Sequence, residues 1–156
     1  MRVLAIDPGA NPGFCVTDGG QIELTSWQAD GFEFLTPIDE LVVEDQFAAA
    51  HVYRNGRRVR VSRKSQMTLA HTAGRLLERY SAERKYRIGP DAWRRVLWPG
   101  AVRLTKKVVL ARLTPEYGHL VADFPKKHRP DVLEAVGIAM AWARLSAAQK
   151  EAFRVE

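Results

Sequence analysis

The chain has 156 residues, 46% of them hydrophobic, with 24 Lys and Arg against 18 Asp and Glu and a net charge of +6. That length and apolar content suit one domain with a buried core and exclude a disordered chain. No apolar stretch reaches the ~20 residues of a membrane span, Met1 runs into an apolar segment without a charged leader, and Cys15 has no partner for a disulfide or a cysteine metal cage, so a cytoplasmic protein without a membrane partner is expected.

Residues 2 to 7, RVLAID, read as a buried strand that stops at a carboxylate and a Pro-Gly. Phe14 to Asp18 and Ile22 to Trp27 form a hairpin across Gly19-Gly20. Thr36-Pro37 is expected to open a short helix ending near Glu40. Leu41 to Glu44 is valine-rich and too short for a helix, so it reads as a strand. In residues 50 to 61, AHVYRNGRRVRV, Asn55-Gly56 between two β-prone arms is a strong hairpin signal. Lys64 to Ser81 reads as a helix with Ala70, Ala73, Gly74, Leu77 and Tyr80 on one stripe. Gly74 costs that helix about 1 kcal/mol against alanine, which a close helix contact in the fold or across a dimer would explain. Tyr86 to Ile88 is a strand, and Pro90 opens a helix from Asp91 to Leu97. Thr105 caps a helix from Lys106 to Leu113, and Pro130 begins a last helix to about Leu145. The expected fold is α/β, with a five-stranded mixed sheet flanked by helices and an added basic β-hairpin.

The basic residues cluster. Arg54, Arg57, Arg58, Arg60, Arg63 and Lys64 fall within eleven residues that hold no acid. Arg84, Lys85 and Arg87 form a second group, Arg94 and Arg95 a third, Lys106 and Lys107 a fourth, and Lys126, Lys127 and Arg129 a fifth. One such pair is ordinary solvated surface, but five in a small basic chain point to a phosphate backbone. A two-residue turn at Asn55-Gly56 pairs Arg54 with Arg57 and Tyr53 with Arg58, an arrangement that like-charge repulsion disfavours unless phosphates lie between. Trp93 and Trp98 flank basic residues and suit either base stacking or core packing.

The acids are more specific. Val3, Ala5 and Asp7 share a strand face, as do Val42 and Glu44. If these strands are neighbours, about 4.8 Å apart, the two carboxylates meet at one sheet edge, where open α/β sheets bind ligands. On the last helix Asp131 and Glu134 share a face with Ile138 and Trp142, although acids in a first turn also simply complement the helix dipole. Asp18, Asp30, Asp39, Glu40 and Asp123 fall in predicted turns or caps, where acids are ordinary. Four gathered carboxylates repel one another. Two bound Mg²⁺ or Mn²⁺ ions relieve this and suit phosphodiester hydrolysis, with no organic cofactor.

The order IDPG, an apolar strand ending in EDQF, then DVLEAVGIA on a final helix resembles RuvC-type Holliday-junction resolvases of the RNase H-like superfamily. The resemblance implies a metal-dependent endonuclease that resolves four-way junctions and other branched DNA as a homodimer. It makes Asp7, Glu44, Asp131 and Glu134 the metal-binding acids and Lys106 the basic residue at the scissile phosphate. Phe47 matches an aromatic wedge, and Arg94 or Arg95 a second basic residue. With Lys107, Arg63, Lys64 and the hairpin residues Tyr53, Arg54, Arg57, Arg58 and Arg60, they make up the expected DNA-binding set. The family usually has Asp where Glu134 stands, and the hairpin is an expansion after Glu44. A second register, His128-x-x-Asp131, mimics a His variant of the motif. The Lys64 to Ser81 helix is the candidate dimer interface. A DNA-binding protein without catalysis and an RNA–DNA hybrid nuclease are the alternatives.

Overall fold

A computed structural model of the chain describes residues 1–9, 11–28, 37–45, 67–68 and 70–155 with their side chains, and the backbone of 51–54, 57–60, 63–66 and 69. Strands β1 (Arg2–Asp7), β2 (Gly13–Asp18) and β3 (Gln21–Ser26) form an antiparallel meander. Strands β4 (Glu40–Glu44) and β7 (Arg84–Ile88) then add in parallel to β1, giving one five-stranded mixed sheet of order β3-β2-β1-β4-β7. Between them, β5 (His51–Arg54) and β6 (Arg57–Arg60) pair, among the described residues, only with each other, in the register Arg54 to Arg57 and Tyr53 to Arg58 that a two-residue turn requires. Asn55, Gly56 and Phe47 lie outside the described residues, as do the side chains of the hairpin, Arg63 and Lys64.

The helices are α1 (Arg63–Arg79), α2 (Pro90–Leu97), α3 (Lys106–Tyr117), α4 (Arg129–Arg144) and α5 (Ala147–Glu151), with a 3-10 turn at Gly118–Val121. Alternation along the strands splits the core in two. Val3, Ala5, Cys15, Val42, Tyr86 and Ile88 face α2, α3 and α4, while Leu4, Ile6, Phe14, Val16, Leu41 and Val43 face Ala73, Leu76 and Leu77 of α1. Thr105 caps α3 as its sequence suggests, accepting a hydrogen bond from the Val108 amide at 3.4 Å.

Three expectations need correction. Pro37 to Asp39 form no helix, and Glu40 opens β4 instead, because its backbone is in register with Val3 on one side and Arg84 on the other. Asp39 is held at that entry by the Arg2 amide, 2.6 Å from its Oδ2. Helix α3 continues past Leu113 to Tyr117 and carries Pro115. Among the described residues Gly74 is not wedged, since a methyl there would meet only Arg87 Nη2 at an ordinary 3.6 Å. Helix α5 follows a Ser146–Gln149 capping box, a local signal that the sequence pattern alone left unassigned. Among the described residues no helix is long and apolar enough to cross a membrane.

Candidate metal centre

The carboxyl ends of the parallel strands β1, β4 and β7 lie along one edge of the sheet. Ile6 pairs with Val43, so the next residues, Asp7 and Glu44, stand side by side on the face that α4 covers. Across the antiparallel pair Asp7 is opposite Gly13. A methyl group at Gly13 would collide with the Asp131 carbonyl, so only glycine lets the first turn of α4 rest on the sheet here. This close approach carries Asp131, and Glu134 one turn later, down to Asp7.

Carboxylate oxygens of Asp7, Asp131 and Glu134 all lie within 4.8 Å of one another, and all three residues are buried. Asp7 Oδ1 also accepts the Gly9 amide at 3.2 Å, which fixes the turn out of β1. Glu44 is buried beside this group and outside the compact triad, its Oε2 accepting the Trp93 indole N–H at 2.6 Å. The sequence therefore places four acids in one neighbourhood, and the structure divides them into three plus one.

Two cations answer them. Lys106 Nζ lies 2.7 Å from Asp131 Oδ1 and 2.5 Å from Glu134 Oε2. Arg94 donates from Nη2 to Glu134 Oε1 at 2.9 Å and from Nη1 to the Leu104 carbonyl at 3.2 Å. The two differ in freedom. The Lys106 side chain is half exposed, whereas Arg94 is enclosed and its Cζ lies 5.3 Å from the Trp93 ring centre. Arg94, expected to face DNA, is thus directed into the acids. Arg95 and Lys107 are exposed on α2 and α3.

Among the pairs that the structure shows, Lys106 and Arg94 answer two of the four carboxylates, Asp131 and Glu134. Burial, and then the charges of Glu44 and Glu134, push the Asp7 carboxyl well above its ordinary range, against the opposing pull of Lys106. Burial draws the Lys106 ammonium down, but Glu134, Asp7 and its hydrogen bonds outweigh this and hold it above the usual lysine value. Burial thus leads at Asp7, and the neighbouring carboxylates decide the direction at Lys106.

The donor set fits a hard divalent cation. A Mg²⁺ ion holds oxygens at about 2.0–2.1 Å, so opposite ligands lie about 4.2 Å apart. Adjacent ligands lie about 2.9 Å apart, so the three oxygens, now within 4.8 Å of one another, would draw in around a bound ion. His128 is not in the cluster. It is buried against Trp27, with ring centres 4.4 Å apart and 18° between planes. Trp93 is buried in the core, and Trp98 packs partly buried against it. The pairing of Trp93 with Glu44 was not foreseen from the sequence, where its only signal is a tryptophan just inside a helix that follows a sheet strand.

No family model, curated protein or solved structure matches the chain.

Proposed function

We propose that the protein is a metal-dependent endonuclease of the RNase H-like type that cuts branched DNA, four-way junctions above all, as a homodimer. The observation that carries this reading is the buried convergence of Asp7, Asp131 and Glu134 oxygens within 4.8 Å, with Glu44 alongside. Asp7, Glu44, Asp131 and Glu134 are the residues that would hold Mg²⁺ or Mn²⁺. When bound, such ions activate a water and stabilise the leaving oxygen of a phosphodiester, a pair of ions sharing the two tasks. The chain's own residues then orient the substrate. Lys106, half exposed on the first turn of α3, is placed to turn from Asp131 and Glu134 to a non-bridging phosphate oxygen. Arg94 stays on Glu134 and keeps α2 against α4. Exposed Arg95 and Lys107, with the basic hairpin, supply phosphate contacts.

The dimer belongs to the same proposal. Two symmetric cuts call for two centres related by a two-fold axis, and we place the contact on α1, where Met67 is 63% exposed.

A second reading has one observation in its favour. Lys106 and Arg94 already bond to two of the acids, which suits a salt-bridged cluster in a DNA-binding protein without catalysis. Incubating the purified protein with labelled junction, linear duplex and RNA–DNA hybrid, with and without Mg²⁺ or Mn²⁺, separates the readings. Paired nicks in the junction, dependent on metal, are expected. Metal-independent binding with no cleavage establishes the second reading, and cleavage confined to the hybrid moves the substrate to RNA.

A further inference from the structure

Helix α2 touches the centre at two consecutive residues. It begins where β7 ends, and Ile88 of β7 is in register with Glu44. Gly89 caps the helix by accepting the Ala92 and Trp93 amides at 3.0 and 3.3 Å, which sets Trp93 in the first turn beside the sheet edge. The indole is fully buried. On one side it lies against α4 at Gly137, where a methyl group would come within 2.8 Å of Cζ3 and 3.1 Å of Cη2. Its neighbour Arg94 stacks near it and grips Glu134. The ring therefore has no room to turn, and its N–H is aimed at Glu44 Oε2, 2.6 Å away.

A buried carboxylate held in this way is not an ordinary ligand. Each carboxylate oxygen has two in-plane lone pairs; the indole takes one on Oε2, which fixes the plane of the carboxylate and makes that oxygen the weaker donor for chelation. Mg²⁺ asks for near-octahedral coordination at short distance, which single carboxylate oxygens satisfy. Ca²⁺ accepts six to eight oxygens and takes carboxylates in either mode. Partners behind the ligands orient them, and their removal costs roughly 10- to 100-fold in metal affinity.

We propose that Trp93 is a positioning residue that orients Glu44 and disfavours its two-oxygen ligation, thereby biasing the centre toward small ions such as Mg²⁺ over Ca²⁺. Gly137 belongs to the same device, because it opens the slot that the indole fills. This inference rests on the metal-dependent reading above, and its test is built to tell the two apart.

The test reads binding rather than cleavage. Mn²⁺ bound to the full-length protein is followed by electron paramagnetic resonance, and Mg²⁺ or Ca²⁺ is titrated in as competitor. Wild type is compared with Trp93→Phe, and with protein carrying 3-benzothienylalanine at position 93, which keeps the bicyclic shape and replaces N–H by sulfur. Thermal melts in EDTA check the fold. The expected result is a 10- to 100-fold loss of Mg²⁺ affinity in both variants with a smaller loss for Ca²⁺, so that the Ca²⁺-to-Mg²⁺ affinity ratio rises about tenfold or more. If Trp93→Phe does not fold, the sulfur analogue alone decides. Wild-type binding of Mn²⁺ with an unchanged ratio in the sulfur analogue overturns the role of Trp93 and leaves the metal centre standing. A wild-type protein that binds no Mn²⁺ overturns both.

Discussion

Strand β4 is only five residues long and carries a buried glutamate at each end, on the same face of the sheet, with opposite electrostatics. Each accepts an indole N–H, Glu40 from Trp142 of α4 at 2.7 Å and Glu44 from Trp93 of α2 at 2.6 Å. Beyond that the two ends part. Glu40 Oε2 also accepts from Lys150 Nζ at 2.8 Å, and Arg84 lies 3.4 Å from Oε1, so one acid meets two cations. Lys150 is itself buried and stacks at 5.1 Å on the Trp142 ring. At the Glu44 end, four acids share two cations among the described residues. Glu40 is answered by the chain's own Lys150 and Arg84, whereas on the metal-dependent reading the crowded acids at the other end are the ones that would take an ion. On that reading one residue type on one strand would serve structure at Glu40 and chemistry at Glu44.

Asp7→Asn should have the largest effect. The amide keeps the size of the side chain and the acceptor for the Gly9 amide but removes a ligand charge. Cleavage should fall by orders of magnitude while junction binding survives. The fold should gain. Because the Asp7 carboxyl is raised in the folded protein, the unfolded chain loses its proton first as pH rises from about 4. Wild type is therefore penalised at neutral pH and not below pH 4. In EDTA the variant should melt higher at pH 7, with the gap closing as pH falls toward 4. Equal melting temperatures across that range would show that the acids do not strain one another.

Glu40→Gln is the mirror experiment. It leaves Lys150 buried without its counter-charge, and breaking a buried ion pair from one side costs about 3–5 kcal/mol. Denaturant midpoints should drop accordingly, while cleavage per folded molecule stays at the wild-type level. A normal midpoint with lost cleavage would reverse the roles of the two ends of β4.

The contrast was half legible in the sequence. Strand alternation put Asp7 and Glu44 on one face, and the three-residue spacing put Asp131 and Glu134 together, because both rest on fixed backbone periods. Glu40 was unreadable as a buried acid. Its partner Lys150 is 110 positions away, and an acid after Pro37-Ile38-Asp39 looks like a turn residue until its ladder partners are known. Lys106 and Arg94 were visible as cations, but their aim toward Asp131 and Glu134 depends on how α2 and α3 dock on α4. The Trp93 bond depends in addition on the space left at Gly137. Long-range docking, rather than local pattern, decides each of these.

The basic hairpin gives the smallest expected effect and a third kind of charge. Here two arginines are opposed in register, Arg54 against Arg57. Opposed like charges on paired strands are mutually destabilising, and neither a counter-charge of the kind at Glu40 nor a cation of the kind proposed at Glu44 would relieve them. Phosphate would. Replacing Arg57, Arg58 and Arg60 with alanine should therefore weaken junction binding and flatten its dependence on salt, the logarithmic slope falling by about 0.9 for each phosphate that is no longer neutralised. The melting temperature should hold, because β5 and β6 form a sheet of their own, apart from the five-stranded one. Measuring linear duplex in parallel sharpens the result. A larger loss on the junction than on the duplex gives the arm a role at the branch point. Equal losses on both reduce it to general affinity for phosphate. An unchanged slope on both would remove the hairpin from the DNA-binding surface.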